Sequence, residues 1–508
     1  MNNWTSGYVA DIDYTSGFYS DMTPAQLSFA LLARDSDAPD IEGEFNYCEL
    51  GCGQGLTTNL MAAAYPNGLF WANDFNPTHI ASARKLASAA GSKNVRFFDS
   101  SFAEFCEADL PEFDFICLHG VWTWINTDNR QAILRLIRSR LKVGGVVYVS
   151  YNALPGWAPL QPLQRLLADH AATSTDPIET RIQRAVAFAD KLRSTGARYF
   201  EANQAVLTRL DSIKEASPNY LAHEYLVGDF APAYHADVVR EFSEAKLSFA
   251  GSADIRHHVD ALNFNPLQLE LLAGIADPVL RETVGDYILA RRFRQDIFVK
   301  GQAPLDAQEV NARWLNTRFA LKMKRSDVPP TVLGPVGEVT LHPEVYTPIL
   351  DALAAGPKSV AQLVSAGPLE AIGFERLRQA LTVLVGMEAA APCLGAAGEA
   401  TRIARTRAFN VFSLERAQRR GARAWLASPL TGSGVAIAGV LQAFLHARQL
   451  NREDVPEYVW EVLRARGVRL KKDDKELESP EENLAELRLN FARFTEELLP
   501  VFQNLGVA

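Results

Sequence analysis

The run Glu49-Leu50-Gly51-Cys52-Gly53-Gln54-Gly55 puts one carboxylate and three glycines between an extended stretch, 46–50, and apolar helix-forming sequence, 56–64. A turn of this composition lets backbone N–H groups approach a ligand with no Cβ in the way, at the positive end of a helix. Two further acids follow in step. Asp74 closes the apolar segment 69–74, and Asp99 follows the segment 94–98. A carboxylate has two acceptor oxygens and can take hydrogen bonds from both hydroxyls of a ribose. Asp99 stands where the exocyclic amine of a base would be met. Past the apolar run 113–118 come His119, Trp122 and Trp124, and Tyr151 follows the run 146–150. Together these residues describe recognition of a nucleoside-like ligand, with aromatic groups gathered where a reaction would occur.

The elements that must hold them are strands alternating with helices. Strand, glycine turn and helix open the series. A second helix begins at Asn76-Pro77, an N-cap followed by proline at the first helical position. A further helix is expected over 129–141, and Gly144-Gly145 turns the chain into a fifth strand, 146–150. This order predicts an α/β fold: a Rossmann-like sheet with helices on both faces, ligand groups at the carboxyl ends of its strands. A dinucleotide site is the chief rival. The turn reads Gly-x-Gly-x-Gly, not Gly-x-Gly-x-x-Gly, and Glu49 precedes it; both differences favour S-adenosylmethionine over NAD.

The same run resembles the class I S-adenosylmethionine-dependent methyltransferases. The resemblance implies that Glu49, Gly51, Gly53 and Gly55 cradle the methionine part of the cofactor. It implies that Asp74, with Phe75 beside it, holds ribose, and that Asp99 and Ser100 meet adenine. Tyr14, from an aromatic lead-in containing Tyr8, Tyr14, Phe18 and Tyr19, and His119 complete the cofactor set. His119, Trp122 and Tyr151 are the expected catalytic group. The segment 206–300, with Tyr220-Leu221-Ala222-His223-Glu224-Tyr225-Leu226, Pro232, Tyr234 and His235, resembles the methyltransferase regulatory domain. That architecture is similar to rickettsial-type bacterial protein-lysine methyltransferases, which implies N-methylation of a protein lysine. The segment after the fourth strand lacks the Asn/Asp-Pro-Pro-Tyr signature of enzymes acting on planar amides or adenine amines. A small-molecule or lipid acceptor, or a non-catalytic cofactor-binding role, are the alternatives.

A chain of 508 residues with 48% hydrophobic content predicts several folded domains. The expected division is an N-terminal cap or lid, 1–43, and a cofactor domain, 44–158. A helical connector, 159–205, offers a homodimer face, and the regulatory segment spans 206–302. A winged-helix-like unit, 303–395, and a helical C-terminal part, 396–508, complete the chain. Largely helical accessory domains of this size suit a macromolecular acceptor. The net charge of −9 gives no electrostatic reason to expect nucleic acid. Five scattered cysteines without metal-ligand spacing suggest reduced thiols in the cytoplasm and no metal site. No apolar stretch is long enough to predict a membrane span.

Overall fold

A computed structural model describes residues 17–508 apart from Asp474. Tyr8 and Tyr14 therefore lie outside the described residues. The centre is a seven-stranded sheet of order β3-β2-β1-β4-β5-β7-β6. Its strands are β1 (Phe45–Leu50), β2 (Gly68–Asp74), β3 (Val95–Asp99), β4 (Phe113–Leu118), β5 (Leu141–Asn152), β6 (Leu247–Ser252) and β7 (Phe293–Lys300). The pairs among β1 to β5 are parallel, with Cys48 level with Trp71 and Ile116. The order reverses between β1 and β4, and in open α/β sheets the ligand crevice opens at that switch.

β7 pairs antiparallel with β5 from Val146↔Val299 to Asn152↔Phe293, and β6 pairs with β7. Two strands from the 206–302 segment thus extend the cofactor-domain sheet. Charged residues hide β7 in the sequence. Arg294 and Asp296 are fully buried and form an ion pair at 3.0 Å, and Arg294 also binds Asp286 at 2.6 Å and Glu282 at 2.9 Å. Paired in this way they tolerate burial, but they break the alternating apolar pattern by which a strand is recognised.

The sheet separates two apolar layers. Phe45, Tyr47, Phe115 and Tyr148 face one, against helix Leu56–Ala64 and the N-terminal helix Pro24–Leu32. Cys48, Leu50, Ile116, Trp122, Val149 and Tyr151 face the other, with helix Thr127–Arg140 and Phe242. The alternation follows from the two-residue period of a strand. Thr23 caps the helix Pro24–Leu32, and Asn76 caps Pro77–Ala89 by accepting from Thr78 N at 2.9 Å. After the sheet, helices Gln161–Ala172 and Ile178–Ser194 pack together.

Beyond 303, helices Pro343–Ala354, Val360–Val364 and Phe374–Gly386 accompany a three-stranded antiparallel sheet centred on Arg318–Leu321. The C-terminal part is helical with a hairpin, Ala424–Ala427 and Gly434–Ile437. It returns to the cofactor domain. Trp425 lies 5.4 Å from Phe18, and Arg416 donates to Gln54 in the glycine turn at 3.5 Å.

Candidate active site

A cavity of about 500 Å³ opens at the carboxyl ends of the parallel strands. Glu49, Gly51, Gly53, Asp74, Phe75, Ser100 and His119 line it, so the structure brings these expected residues together. Gly53 has φ +52°, and a Cβ built there meets no atom within 4 Å. Open space beside a left-handed glycine whose neighbours line a cavity is what a ligand cradle requires. Gly55 has a different role. A Cβ there would lie 2.6 Å from Ala83 Cβ and 2.8 Å from Phe97, so this glycine lets the next helix pack against its neighbours and does not line the cavity.

Asp74 is buried and its oxygens are already engaged. Oδ2 accepts from Gly53 N at 2.9 Å, and Oδ1 accepts from Asn76 N at 2.9 Å and faces His79 Nδ1 at 3.2 Å. The carboxylate therefore fixes the glycine turn and the following cap as well as facing the cavity; Oδ2, with one donor, retains acceptor capacity for a ribose hydroxyl. Glu49 accepts from the Thr58 hydroxyl in a short contact. Burial, with a smaller push from Asp74, raises its carboxyl to about 7, against the opposing Thr58 hydrogen bond. A buried carboxylate lacking a counter-ion is costly, and a ligand ammonium would relieve that cost. Ser100 Oγ is buried with no hydrogen-bond partner among the described residues, a further polar atom left for a ligand.

Other expected residues stand elsewhere. Asp99 is exposed and does not line the cavity; β3 is an edge strand, and the chain turns inward only after it, through Ser100, Ser101 and Phe102. Trp122 is fully buried against Phe242, ring centroids 4.8 Å apart, and is a core residue. Tyr151 is also fully buried. On β5 it has opposite parity to Asn152, which lines the cavity, and its hydroxyl donates to Asp296 on β7 at 2.6 Å. Neither side chain reaches the cavity, so the catalytic roles expected of Trp122 and Tyr151 are corrected to structural ones.

His119 stays in the wall. Tyr19 stacks on it with ring centroids 3.9 Å apart, and its Nδ1 meets the Tyr148 hydroxyl at 2.8 Å. Gln295 on β7 continues the chain, donating to Tyr148 at 3.3 Å and to Asp21 at 2.6 Å. Burial lowers His119 to about 4, so the ring is neutral near pH 7. Tyr19 itself hydrogen-bonds through its N–H to Thr57 Oγ1 at 3.4 Å, tying the N-terminal stretch of chain to the helix behind the glycine turn.

The rest of the wall comes from residues that sequence reasoning left out. Trp157, Arg209, Tyr220, Glu224, Arg292 and Phe293 all line the cavity beside Trp124. Tyr220 and Glu224 are four apart on helix Pro218–Tyr225, a spacing that puts them on one face and was available in the sequence. Burial raises Glu224 to about 7, partly offset by the Arg209 charge. Among the described residues, no group of acids, histidines and cysteines could hold a metal ion, and no helix is long and apolar enough to cross a membrane.

The chain matches a methyltransferase domain over residues 48–145 and a predicted methyltransferase regulatory domain over 217–300. An uncharacterized protein of Synechocystis, sll1526, is 41% identical over 505 residues, 99% of this chain and 100% of that one. An uncharacterized Rickettsia prowazekii protein, RP789, is 28% identical across 57% of this chain and 53% of its own length. PKMT2 from Rickettsia typhi, solved in complex with AdoHcy, has the same fold: TM-score 0.71 over 97% of this chain and 100% of that chain, at 17% identity. The protein therefore belongs with the Synechocystis protein among class I methyltransferases that carry a methyltransferase regulatory domain, and its cofactor is S-adenosylmethionine.

Proposed function

We propose that this methyltransferase acts on the side-chain amine of a protein lysine. The observation that carries the reading is the composition of the cavity wall beyond the glycine turn. Four aromatic residues, Trp124, Trp157, Tyr220 and Phe293, share it with the carboxylate of Glu224. An aromatic wall attracts a cation by its ring faces and strips water from it, which lowers the pKa of an ammonium. That matters because lysine, with a free pKa of about 10.4, is almost wholly protonated near pH 7. The PKMT2 fold, which binds AdoHcy, supports the same reading.

Bound S-adenosylmethionine supplies a methyl group already activated by its sulfonium. The residues of the chain then position and desolvate. Glu49 offers its carboxylate to the α-ammonium of the methionine part, and Gly53 leaves room for that part to pass. Asp74 holds the turn and accepts from ribose, while Ser100 offers its free hydroxyl near the base. Tyr19 and His119 stack together as one part of the cavity wall. Alignment of this kind accounts for as much as roughly 7–11 kcal/mol of a barrier at the favourable limit.

The test is incubation of the purified protein with labelled S-adenosylmethionine and cell extract. Label on lysine side chains, located by mass spectrometry, is the expected result. Label confined to a lipid or small-molecule fraction refutes the lysine acceptor and leaves the methyltransferase assignment standing.

A further inference from the structure

Among the described residues, three carboxylates line the cavity: Glu49, Asp74 and Glu224. Two are tied into the protein, Glu49 by the Thr58 hydroxyl and Asp74 by two backbone N–H groups. Glu224 has no hydrogen bond or ion pair to any described residue. Its neighbour Arg209 is engaged elsewhere, donating to the Tyr225 hydroxyl at 2.6 Å and to Tyr220 at 3.3 Å. Glu224 is also partly exposed, so protons can leave it for solvent. It rises from the regulatory segment, one helical turn after Tyr220 in the aromatic wall.

Of the other titratable groups lining the cavity, His119 and Tyr19 are poor proton acceptors; His79, Arg209, Tyr220, His223 and Arg292 line it too. His119 is neutral and weakly basic because it is buried. Tyr19 is pushed up by burial and then by the charges of Glu49 and Glu224, so it keeps its proton. Tyr19 lines the same cavity as both carboxylates. A group that can take a proton near neutral pH should titrate near that pH, and burial brings Glu224 to about 7.

We propose that Glu224 is a catalytic residue that binds the acceptor ammonium and takes its proton before methyl transfer. The inference rests on the lysine acceptor proposed for this same cavity. In the step, one N–H bond of the ammonium breaks and its proton bonds to the Glu224 carboxylate, leaving the nitrogen lone pair. That pair then forms the N–CH₃ bond as the methyl–sulfur bond breaks, and its electrons stay on sulfur. The Glu224 proton, and later one from the methylated ammonium, pass to solvent.

The test compares the full chain with E224Q, an isosteric change. Thermal melting and calorimetry with S-adenosylhomocysteine establish that the variant folds and binds the cofactor product as the parent does; E224A takes its place if E224Q does not fold. With labelled S-adenosylmethionine and heat-treated extract protein, E224Q should lose about 100-fold in rate at pH 7.5. The gap should close as pH approaches about 10, where lysine sheds its proton unaided. Parent-like rate and pH profile in E224Q would overturn the proposal. Label appearing only on lipid or small molecules would refute the lysine reading, and the same pH comparison on that fraction would still report on Glu224. Independently of turnover, n-butylammonium should bind the S-adenosylhomocysteine complex at pH 8 at least about tenfold more weakly in E224Q, the loss expected from one charge-assisted contact. Equal binding also overturns it.

Discussion

Replacing Glu49 by glutamine should make the cofactor-free protein more stable and the cofactor complex weaker. The side chain is only 5% exposed, and its carboxyl is raised from an ordinary 4.5 to about 7. That difference, about 2.5 pH units, corresponds to about 3 kcal/mol. The sign follows from proton binding. Below pH 4.5 the group is protonated in both folded and unfolded chains, and ionisation costs nothing. Between 4.5 and 7 the folded chain holds the proton more tightly, so stability falls as pH rises; above 7 the penalty is constant. Glutamine keeps an acceptor for Thr58 and removes the charge. Urea unfolding at pH 8 should therefore show the variant more stable by up to about 3 kcal/mol, and at pH 4.5 the two proteins should nearly coincide. Calorimetry with S-adenosylhomocysteine should show the opposite order. Losing a hydrogen bond from the ligand ammonium to a carboxylate costs roughly 1.5–3 kcal/mol, or about ten- to a hundredfold in affinity. Wild-type affinity should also weaken as pH falls below 7, and the variant should lack that dependence. Unchanged affinity in a folded Glu49→Gln protein would refute the assignment of Glu49 to the ligand ammonium.

Trp122→Ala should lower stability by about 3–5 kcal/mol in urea unfolding, as for a large core side chain, while the folded fraction keeps its affinity for S-adenosylhomocysteine; lost affinity in that fraction would return Trp122 to the site. Asp74→Asn leaves one of the two backbone N–H groups facing an amide donor, so cofactor-free stability should fall by about 1–3 kcal/mol together with affinity. Lost affinity at parental stability would make Asp74 a ligand residue only. Tyr19→Ala should weaken S-adenosylhomocysteine binding, and in the parent the amides of residues 17–22 should exchange more slowly once it is bound; equal exchange in both states would mark this stretch as a fixed wall.

The glycine turn, the first four strands and the helix opened by Asn76-Pro77 could be read from the sequence because local signals and tertiary role agree there. Asn76-Pro77 caps its helix whatever that helix packs against. The side of the sheet was harder. Tyr151 stands at a strand end, as a catalytic group would, yet its parity against Tyr148 and Asn152 turns it away from the cavity. Asp99 and Ser100 are adjacent expectations with different outcomes, because an edge strand gives its last side chain to solvent and the chain turns inward only after it. Glu224 needed knowledge of which surface the helix Pro218–Tyr225 meets, and no local pattern carries that. β7 was missed because its buried charges are satisfied by partners outside the strand, Glu282 and Asp286 on the preceding helix and Tyr151 on β5.

The antiparallel pairing of β7 with β5 makes the methyltransferase domain inseparable from the regulatory segment. A chain cut at residue 158 would bare the outer edge of β5 along Val146 to Asn152, a ladder now closed by β7. An open, apolar strand edge is a template for pairing with other chains, so such a fragment should aggregate instead of acting as a minimal enzyme. The same splice puts Arg292 and Phe293, which line the cavity, at the start of the very strand that completes the sheet. Any displacement of the regulatory segment would therefore reach this wall of the cavity through the sheet itself.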